Sequence, residues 1–293
     1  MSRISLCALL ILSLSTIAFS QVTFNNLSIY SYPNMNRDTD PINLYNMLIS
    51  KPVIPKTVIF KILDVSNTKQ VLPKAYLVSE MLANFPSSQF NFAALINVAA
   101  MATGYSLTTT DADNVFAAIQ NTAQLSSFSS ISIDAEPVYN WNSNAAKIVN
   151  SIDFHIRLIE LINTNLSLPV SVYFSPAKIA NNKGIINKNP TDWNRFLTAI
   201  GTQNTVFLPA YSYADDPVLQ VDIANAITAL GSHAYQLIFD SRDDIALQPR
   251  LEWAHANNYY GNGTVVYSLE IPAPLQNSTM QLIGNYLTNV TGI

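Results

Sequence analysis

Eight short apolar runs, separated by helix-like segments, constrain the fold of this chain more than any other feature of its sequence. They cover residues 26–30, 57–65, 92–98, 131–134, 169–174, 205–210, 235–240 and 264–269. These runs are nearly continuous in hydrophobic residues instead of alternating with polar ones, which is typical of strands buried on both faces of a parallel sheet. The run 92–98 is rich in alanine and therefore also suits a helix.

The segments between these runs have the character of helices. They cover residues 76–83, 111–123, 145–163, 191–200, 221–230 and 250–257. The segment 145–163 has the clearest amphipathic pattern, and His155 falls on its apolar face, so His155 is expected to be structural. Asp111 and Thr191 are expected to be N-caps, because short polar side chains accept hydrogen bonds from the first N–H groups of a helix.

The alternation of strands and helices predicts the fold. Eight units, recurring about every 35 residues, match an α/β fold of the (β/α)8 TIM barrel type in number and in total length. We expect a single barrel domain over residues 21–293, because no linker or shift of composition divides the chain. An open doubly wound sheet is the alternative. No glycine-rich phosphate loop follows the first run, which argues against a nucleotide-binding version of that sheet.

The first 20 residues have the anatomy of a signal peptide. Arg3 precedes the apolar run 6–14, and the small-residue region 17–20 precedes Gln21. That run is too short for a transmembrane helix, so we expect cleavage near residue 20 and no membrane anchor. The protein is therefore expected to be secreted, or periplasmic in a bacterium. Its one cysteine, Cys7, would leave with the segment, so no disulfide is expected.

Sequons for N-glycosylation indicate a glycoprotein if the source is a eukaryote. They begin at Asn26, Asn165, Asn262, Asn277 and Asn289. A chain this rich in Asn, Ser and Thr also produces sequons by chance.

The composition restricts the partners of this protein. Charged residues make up 12% of the chain, with 15 Lys and Arg against 19 Asp and Glu, and no basic cluster argues for nucleic acid. Polarity comes from Asn, Ser, Thr and Tyr, which suit uncharged, hydroxyl-rich ligands such as sugars. The alternative interpretation is that this composition reflects the codon bias of the organism. With three His and one Cys, no metal site and no cofactor is predicted. A monomer is the expected state.

Polar residues collect at the ends of the predicted strands, where barrels of parallel strands keep their active sites. The fourth run ends in Asp134 and Glu136, which share one face of a strand because successive side chains alternate. The other strand ends carry further acids, tyrosines and polar groups: Asp64, Asn97, Tyr173, Ser175, Tyr211, Tyr213, Asp215, Asp240, Arg242 and Glu270.

Two neighbouring carboxyl groups fit the chemistry of glycoside hydrolysis. One carboxylic acid protonates the leaving oxygen, and a second group stabilises the positive charge that develops on the sugar. Asp134 and Glu136 are candidates for these roles. The carboxylate of one would raise the pKa of the other and so keep that acid protonated. The alternative is that each is an ordinary loop acid.

The stretch from Phe128 to Glu136 resembles the fourth-strand signature of the family 18 glycoside hydrolases, the chitinase type. That signature is written DxxDxDxE, and its four acidic positions fall on Ser129, Ser132, Asp134 and Glu136. The stretches 208–211 and 263–270 resemble the ends of the sixth and last strands of the family more loosely. The specific match covers about ten residues.

The resemblance implies roles for the site residues. Glu136 would be the proton donor, Asp134 would orient the acetamido group of the sugar, Tyr211 would hydrogen-bond to that group, and Tyr267 would form the floor of the pocket. The remaining residues that we expect to contact the substrate are Tyr213, Asn97, Asp240, Trp141 and Glu270. The serines at 129 and 132 leave a second interpretation open, which is a barrel that binds carbohydrate without cleaving it.

Two other barrel families share parts of this stretch. Ala135-Glu136-Pro137 resembles the Asn-Glu-Pro of retaining barrel glycosidases. In those enzymes the Glu of this motif is paired with a second Glu, the nucleophile, after the seventh strand. The seventh run of this chain ends instead in the shorter Asp240. The lysozyme-like barrels of family 25 also carry Asp-x-Glu after a central strand. Each of these resemblances keeps Glu136 as the residue to test.

Overall fold

Nine strands and ten helices occur in the part of the chain that the computed structural model describes, which is residues 22–31, 41–66, 68–98, 107–135, 145–180, 184–211, 216–240, 244–268 and 277–291. The strands are β1 (Val22–Ser31), β2 (Val53–Val65), β3 (Val71–Pro73), β4 (Asn91–Val98), β5 (Ser130–Ala135), β6 (Val170–Tyr173), β7 (Thr205–Pro209), β8 (Ala234–Asp240) and β9 (Thr264–Ser268).

Eight of these strands form a closed ring. Each pairs in parallel with its neighbours in the order β1, β2, β4, β5, β6, β7, β8 and β9, and β9 pairs again with β1. All eight predicted runs lie on these strands, so the (β/α)8 barrel is confirmed. The open sheet is wrong, because β1 has a partner on both sides and leaves no edge.

The helices follow the strands around the outside of the ring. They are α1 (Pro41–Ile49), α2 (Ala75–Asn84), α3 (Thr109–Gln120), α4 (Ala145–Leu166), α5 (Pro176–Ala180), α6 (Ile185–Lys188), α7 (Pro190–Ile200), α8 (Asp216–Leu230), α9 (Asp244–Ala256) and α10 (Asn277–Thr291), with a single 3-10 turn at Leu125–Ser127. The sequence pattern did not predict α1, α10, or the short helices α5 and α6. None of the described helices is long and apolar enough to span a bilayer.

Two helices begin earlier than their predicted caps. The N-cap of α3 is Thr108, whose hydroxyl accepts the N–H of Asp111, while the carboxylate of Asp111 accepts the N–H of Thr108 at 2.7 Å. This reciprocal capping box places the acidic residue three positions after the cap. The N-cap of α7 is Asn189, and Pro190 occupies the first turn. The predictions of Asp111 and Thr191 as N-caps were therefore wrong.

The apolar side chains form two cores. The larger one lies between the strands and the helices, and it includes Ile131 and Ile133 of β5. His155 of α4 is also buried. The smaller one fills the lumen of the ring. Its members are Tyr30, Ile59, Ala93, Leu95, Tyr173, Phe207 and Ile238, with Tyr211 packed against them. The lumen is therefore a packed core, and a ligand site can form only at its end.

The strand β2 reaches further toward the C-terminal end of the barrel than β1 does. Their pairing ends at Ser31 and Phe60, whereas β2 continues to Val65 and pairs there with β4. On the side of β2 opposite β4, the short strand β3 pairs antiparallel with residues 63–65 of β2. This β2–β3 hairpin, which the sequence pattern did not predict, forms a wall at the mouth of the barrel.

Candidate active site at the mouth of the barrel

Three polar residues stand side by side at the mouth of the barrel. Asn97 of β4 is in register with Asp64 of β2 on one side and with Asp134 of β5 on the other. Neighbouring strands lie about 4.8 Å apart, so the three backbone positions fall within roughly 10 Å. Asp134 is half-buried, and its strand directs it to the same side as Ser132, which faces the lumen. The structure thus brings two of the expected site residues, Asn97 and Asp134, together.

Ser132 lies one residue layer below Asp134. Its side chain is completely buried, and its hydroxyl is 2.8 Å from the hydroxyl of Tyr30 on β1. The bond joins two strands that are not neighbours in the ring, so it crosses the lumen. At the position where the family 18 signature has an aspartate, the protein therefore has a neutral pair of hydroxyl groups.

Two tyrosines line the next part of the mouth. Tyr173 ends β6, and Tyr211 follows β7 by two residues. Their hydroxyl oxygens are 3.2 Å apart; Tyr173 belongs to the lumen cluster, and Tyr211 packs against that cluster. Tyr211 is therefore positioned by a neighbouring tyrosine, on the same side of the barrel as β5 and β6.

Asp240 ends β8 on the far side of the mouth and is buried. In the pairing of β8 with β9, Asp240 is in register with Tyr267. In the pairing of β9 with β1, Tyr267 is in register with Tyr30. The positions of Asp240 and Tyr267 are therefore on the same level of the ring as Tyr30.

Asp64 is a carboxylate of the mouth that is paired with two lysines. Lys61 and Lys74 each bring an ammonium nitrogen within 3.0 Å of its oxygens, and the amide nitrogen of Asn97 donates to it at 2.7 Å. Burial acts to raise the pKa of Asp64, but the bonds from Asn97, Lys74 and Lys61 outweigh burial and lower this pKa below its ordinary value.

Several expected site residues lie outside the described part of the chain. They are Glu136, Trp141, Tyr213 and Glu270, together with the side chain of Tyr267. Their predicted roles stay predictions, as do those of Asp134, Tyr211, Asn97 and Asp240. Within the described ranges, no group of three or more His, Cys, Asp or Glu residues is placed to hold a metal ion.

Sequence reasoning missed three residues of the mouth, Tyr30, Lys61 and Lys74. Tyr30 ends the weakest of the eight runs, and its partner Ser132 is 102 residues away, so no local pattern connects them. Lys61 did leave a signal, because it is a charge inside the apolar run TVIFKILDV. A lysine in a strand buried on both faces needs a carboxylate partner, and that partner is Asp64.

Solved structures with the same fold include chitinases and a sugar epimerase. A GH18 chitinase from Pseudoalteromonas aurantia has a TM-score of 0.58 and 10% identity, over 89% of this chain and 100% of its own. Active domain 2 of a chitinase from Pyrococcus furiosus has a TM-score of 0.55 and 12% identity, over 93% and 98%. A D-allulose 3-epimerase from Methylomonas sp. has a TM-score of 0.51 and 9% identity, over 93% and 99%.

These likenesses show a chitinase-like TIM-barrel fold and do not by themselves show a family, because proteins with the same barrel carry out unrelated reactions. No protein-family model and no curated protein matches the sequence.

Proposed function

We propose that this protein is a glycoside hydrolase that acts on N-acetylhexosamine-containing glycans, chitin-like or related, as a member of family 18. The observation that carries the proposal is the position of Asp134, at the C-terminal end of a central barrel strand and beside Asn97. Glu136 follows two residues later in the chain. The chitinase-like fold and the signature around these residues support the same chemistry.

The proposed mechanism is substrate-assisted. Glu136 gives its proton to the glycosidic oxygen as the bond from that oxygen to the anomeric carbon breaks. The carbonyl oxygen of the N-acetyl group attacks the same carbon, and Asp134 and Tyr211 orient the acetamido group and stabilise its charge. Water then opens the cyclic intermediate and passes a proton to Glu136, so the anomeric configuration is retained. Tyr267 would form the floor of the sugar pocket, and Asn97, Asp240, Tyr213, Trp141 and Glu270 would contact the substrate.

Turnover of a chromogenic N-acetylglucosamine oligomer tests the proposal. We expect wild-type protein to release the chromophore, and Glu136→Gln to lower kcat by about 10² to 10⁴-fold, which is the range that general acid catalysis contributes. The matched control is Glu160→Gln, because Glu160 is an exposed residue of α4 on the outside of the barrel. Activity that survives Glu136→Gln, or that falls equally in both variants, contradicts the proposed role.

A second candidate is a barrel that binds carbohydrate without cleaving it. The bond between Ser132 and Tyr30 favours this candidate, because a neutral serine hydroxyl stands where the family 18 signature has an aspartate. Calorimetry with the same oligomer separates the two functions. Binding without any turnover supports the second candidate, and turnover that depends on Glu136 supports the first.

The destination of the protein is also a proposal. We infer an exported protein that loses residues 1–20, from the sequence features of that segment, and a glycoprotein if the source is a eukaryote, from the five sequons. N-terminal sequencing of exported protein is expected to begin near Gln21. An N-terminus at Met1 in exported protein contradicts the assignment of a cleaved signal peptide.

A further inference from the structure

Lys61, Asp64 and Lys74 form a group that we call the charge clamp. The ammonium of Lys61 is 3.0 Å from Oδ1 of Asp64, and the ammonium of Lys74 is 3.0 Å from Oδ2. The side chains of Lys61 and Asp64 are only 4% and 7% exposed, whereas that of Lys74 is 31% exposed. Two cations share one carboxylate, so the three residues together carry one positive charge.

The shape of the mouth fixes the charge clamp in place. Lys61 and Asp64 both belong to β2, and a change of register against β4 between Lys61 and Leu63 brings them to the same side. Lys74 follows β3 directly, and its backbone N–H donates to the carbonyl oxygen of Ile62 at 2.8 Å. The β2–β3 hairpin therefore delivers the second lysine to the rim, over the end of β1.

Asn97 connects the charge clamp to Asp134. Its amide nitrogen donates to Oδ1 of Asp64 at 2.7 Å, and a carboxylate can only accept, so the orientation of the amide is determined. In register, Asn97 lies between Asp64 and Asp134. The backbone positions of Asp64, at the centre of the clamp, and of Asp134 are thus roughly 10 Å apart, and the buried setting of Lys61 and Asp64 screens the charge less than bulk water does.

Several other described side chains of the mouth are phenols, hydroxyl groups or acids. Tyr30 of β1, Tyr173 of β6 and Tyr211 after β7 are phenols, and Asp240 at the end of β8 is a carboxyl group. Ser132, one layer below Asp134, carries a neutral hydroxyl group that is hydrogen-bonded to Tyr30. Lys61 and Lys74 are the cations that the contacts of Asp64 connect to Asn97, which is in register with Asp134.

We propose that the charge clamp is a positioning device with two effects: it keeps Asp134 ionised, and it holds the amide of Asn97 beside Asp134. In the family 18 signature, a second carboxylate stands at the position of Ser132 instead. Lys74 is the member of the charge clamp that can be substituted with the least disturbance of the core, because its side chain lies at the rim and is 31% exposed. The inference deepens the proposed function and rests on it for the consequence in catalysis. The ionisation of Asp134 itself can be measured in the resting protein.

The test changes the charge at position 74 and follows the titration of Asp134. Carbon-13 NMR of the full chain with labelled aspartate gives the titration curve, and Asp134→Asn assigns the signal. One elementary charge at about 10 Å, with an effective dielectric constant of about 20, shifts a pKa by about one unit. We expect Lys74→Met to raise the pKa of Asp134 by about 0.5 to 1 unit, Lys74→Glu by about twice as much, and Lys74→Arg not to change it.

The control is Arg157→Met. Arg157 is paired with Asp113 at 2.9 Å on helices outside the barrel, so its loss removes an ion-paired cation far from the mouth. It should leave the titration of Asp134 unchanged. Equal titration of Asp134 in wild type, Lys74→Met and Lys74→Glu overturns the proposal, and so does a shift in Lys74→Arg as large as that in Lys74→Met.

The outcome for the charge clamp is separable from the outcome for the proposed function. If turnover is present, the acid limb of the kcat/KM profile should move to higher pH in Lys74→Met and return in Lys74→Arg. If the graded shift of Asp134 appears and no turnover is found with any glycan, the charge clamp stands and the hydrolase is rejected. If turnover depends on Glu136 and Asp134 does not shift, the hydrolase stands and the charge clamp is rejected.

Discussion

Asp64 and its two lysines show how a single residue combines burial with charge. An isolated carboxylate or ammonium is costly to bury, and the cost is offset only when the partner and further hydrogen bonds are in place. Asp64 has both, with Lys61, Lys74 and Asn97 around it. An exposed pair such as Arg157 and Asp113 gains much less, because water screens it.

We predict that Asp64→Asn lowers the free energy of unfolding by about 3 kcal/mol at neutral pH, because it removes the carboxylate that pairs with the buried ammonium of Lys61. Asp113→Asn, the matched loss of a carboxylate from an exposed pair, should cost less than about 1 kcal/mol. Urea denaturation measures both. Equal costs for the two variants would contradict the account of Asp64.

The pH dependence of this contribution follows from the lowered pKa of Asp64. Because the pKa is lower in the folded state than in the unfolded state, ionised Asp64 stabilises the fold above its unfolded pKa of about 3.9. The stabilisation is lost as the pH falls through the lower, folded pKa. The wild-type protein should therefore lose more stability than Asp64→Asn when the pH falls below about 4.

At the scale of elements, hydrophobic continuity predicted the strands well. The runs 57–65 and 92–98 lie within β2 and β4, because strands covered on both faces need apolar residues along their whole length. Helix starts were predicted less well, since Asp111 belongs to a reciprocal pair with Thr108 and only the structure shows which of the two is the cap. The three-residue strand β3 is too short to have a period.

The capping box of α3 is open to a direct test. Thr108→Ala removes the hydroxyl that accepts the N–H of Asp111, and we expect a loss of about 1 kcal/mol in the free energy of unfolding. Thr109→Ala is the control, because Thr109 is an exposed residue of the first turn and has no capping role. Chemical denaturation of both variants measures the difference. Thr108→Ala as stable as Thr109→Ala would show that the cap contributes nothing.

At the scale of the whole molecule, the ring closes where β9 meets β1. Gly263, just before β9, has a φ of 137°, and a Cβ there would stand 2.3 Å from the carbonyl oxygen of Asn26 on β1. Only glycine allows this approach of two backbones. The closure was predicted from the number of units, whereas the residue that permits it was not, because contact with Asn26 spans nearly the full length of the chain.

We expect Gly263→Ala to destabilise the barrel by about 2 kcal/mol or more, since both the backbone angle and the contact with Asn26 are unfavourable. Gly231→Ala is the control. Gly231 also has a positive φ, of 60°, but nothing lies within 4 Å of a Cβ there, so only the angle is strained and about 1 kcal/mol is expected. Thermal unfolding compares the two. A cost at Gly263 no larger than at Gly231 would contradict this account of the closure.

The site was predictable only where it follows a strand end in the sequence. Asp134, Asn97 and Asp240 are found by that rule, and the structure places the first two next to each other. The bond from Tyr30 to Ser132 and the lysines around Asp64 depend on register and on the β2–β3 hairpin. No spacing along the chain encodes these contacts, so they needed the three-dimensional arrangement.

The hydroxyl bond between Tyr30 and Ser132 also sets how deep a ligand can penetrate. It crosses the barrel one layer below Asp134, and Tyr30 belongs to the packed cluster that fills the lumen. A ligand that reaches Asp134 therefore meets this bond and goes no deeper between the strands. Any site at Asp134 therefore has this pair of hydroxyl groups as its base.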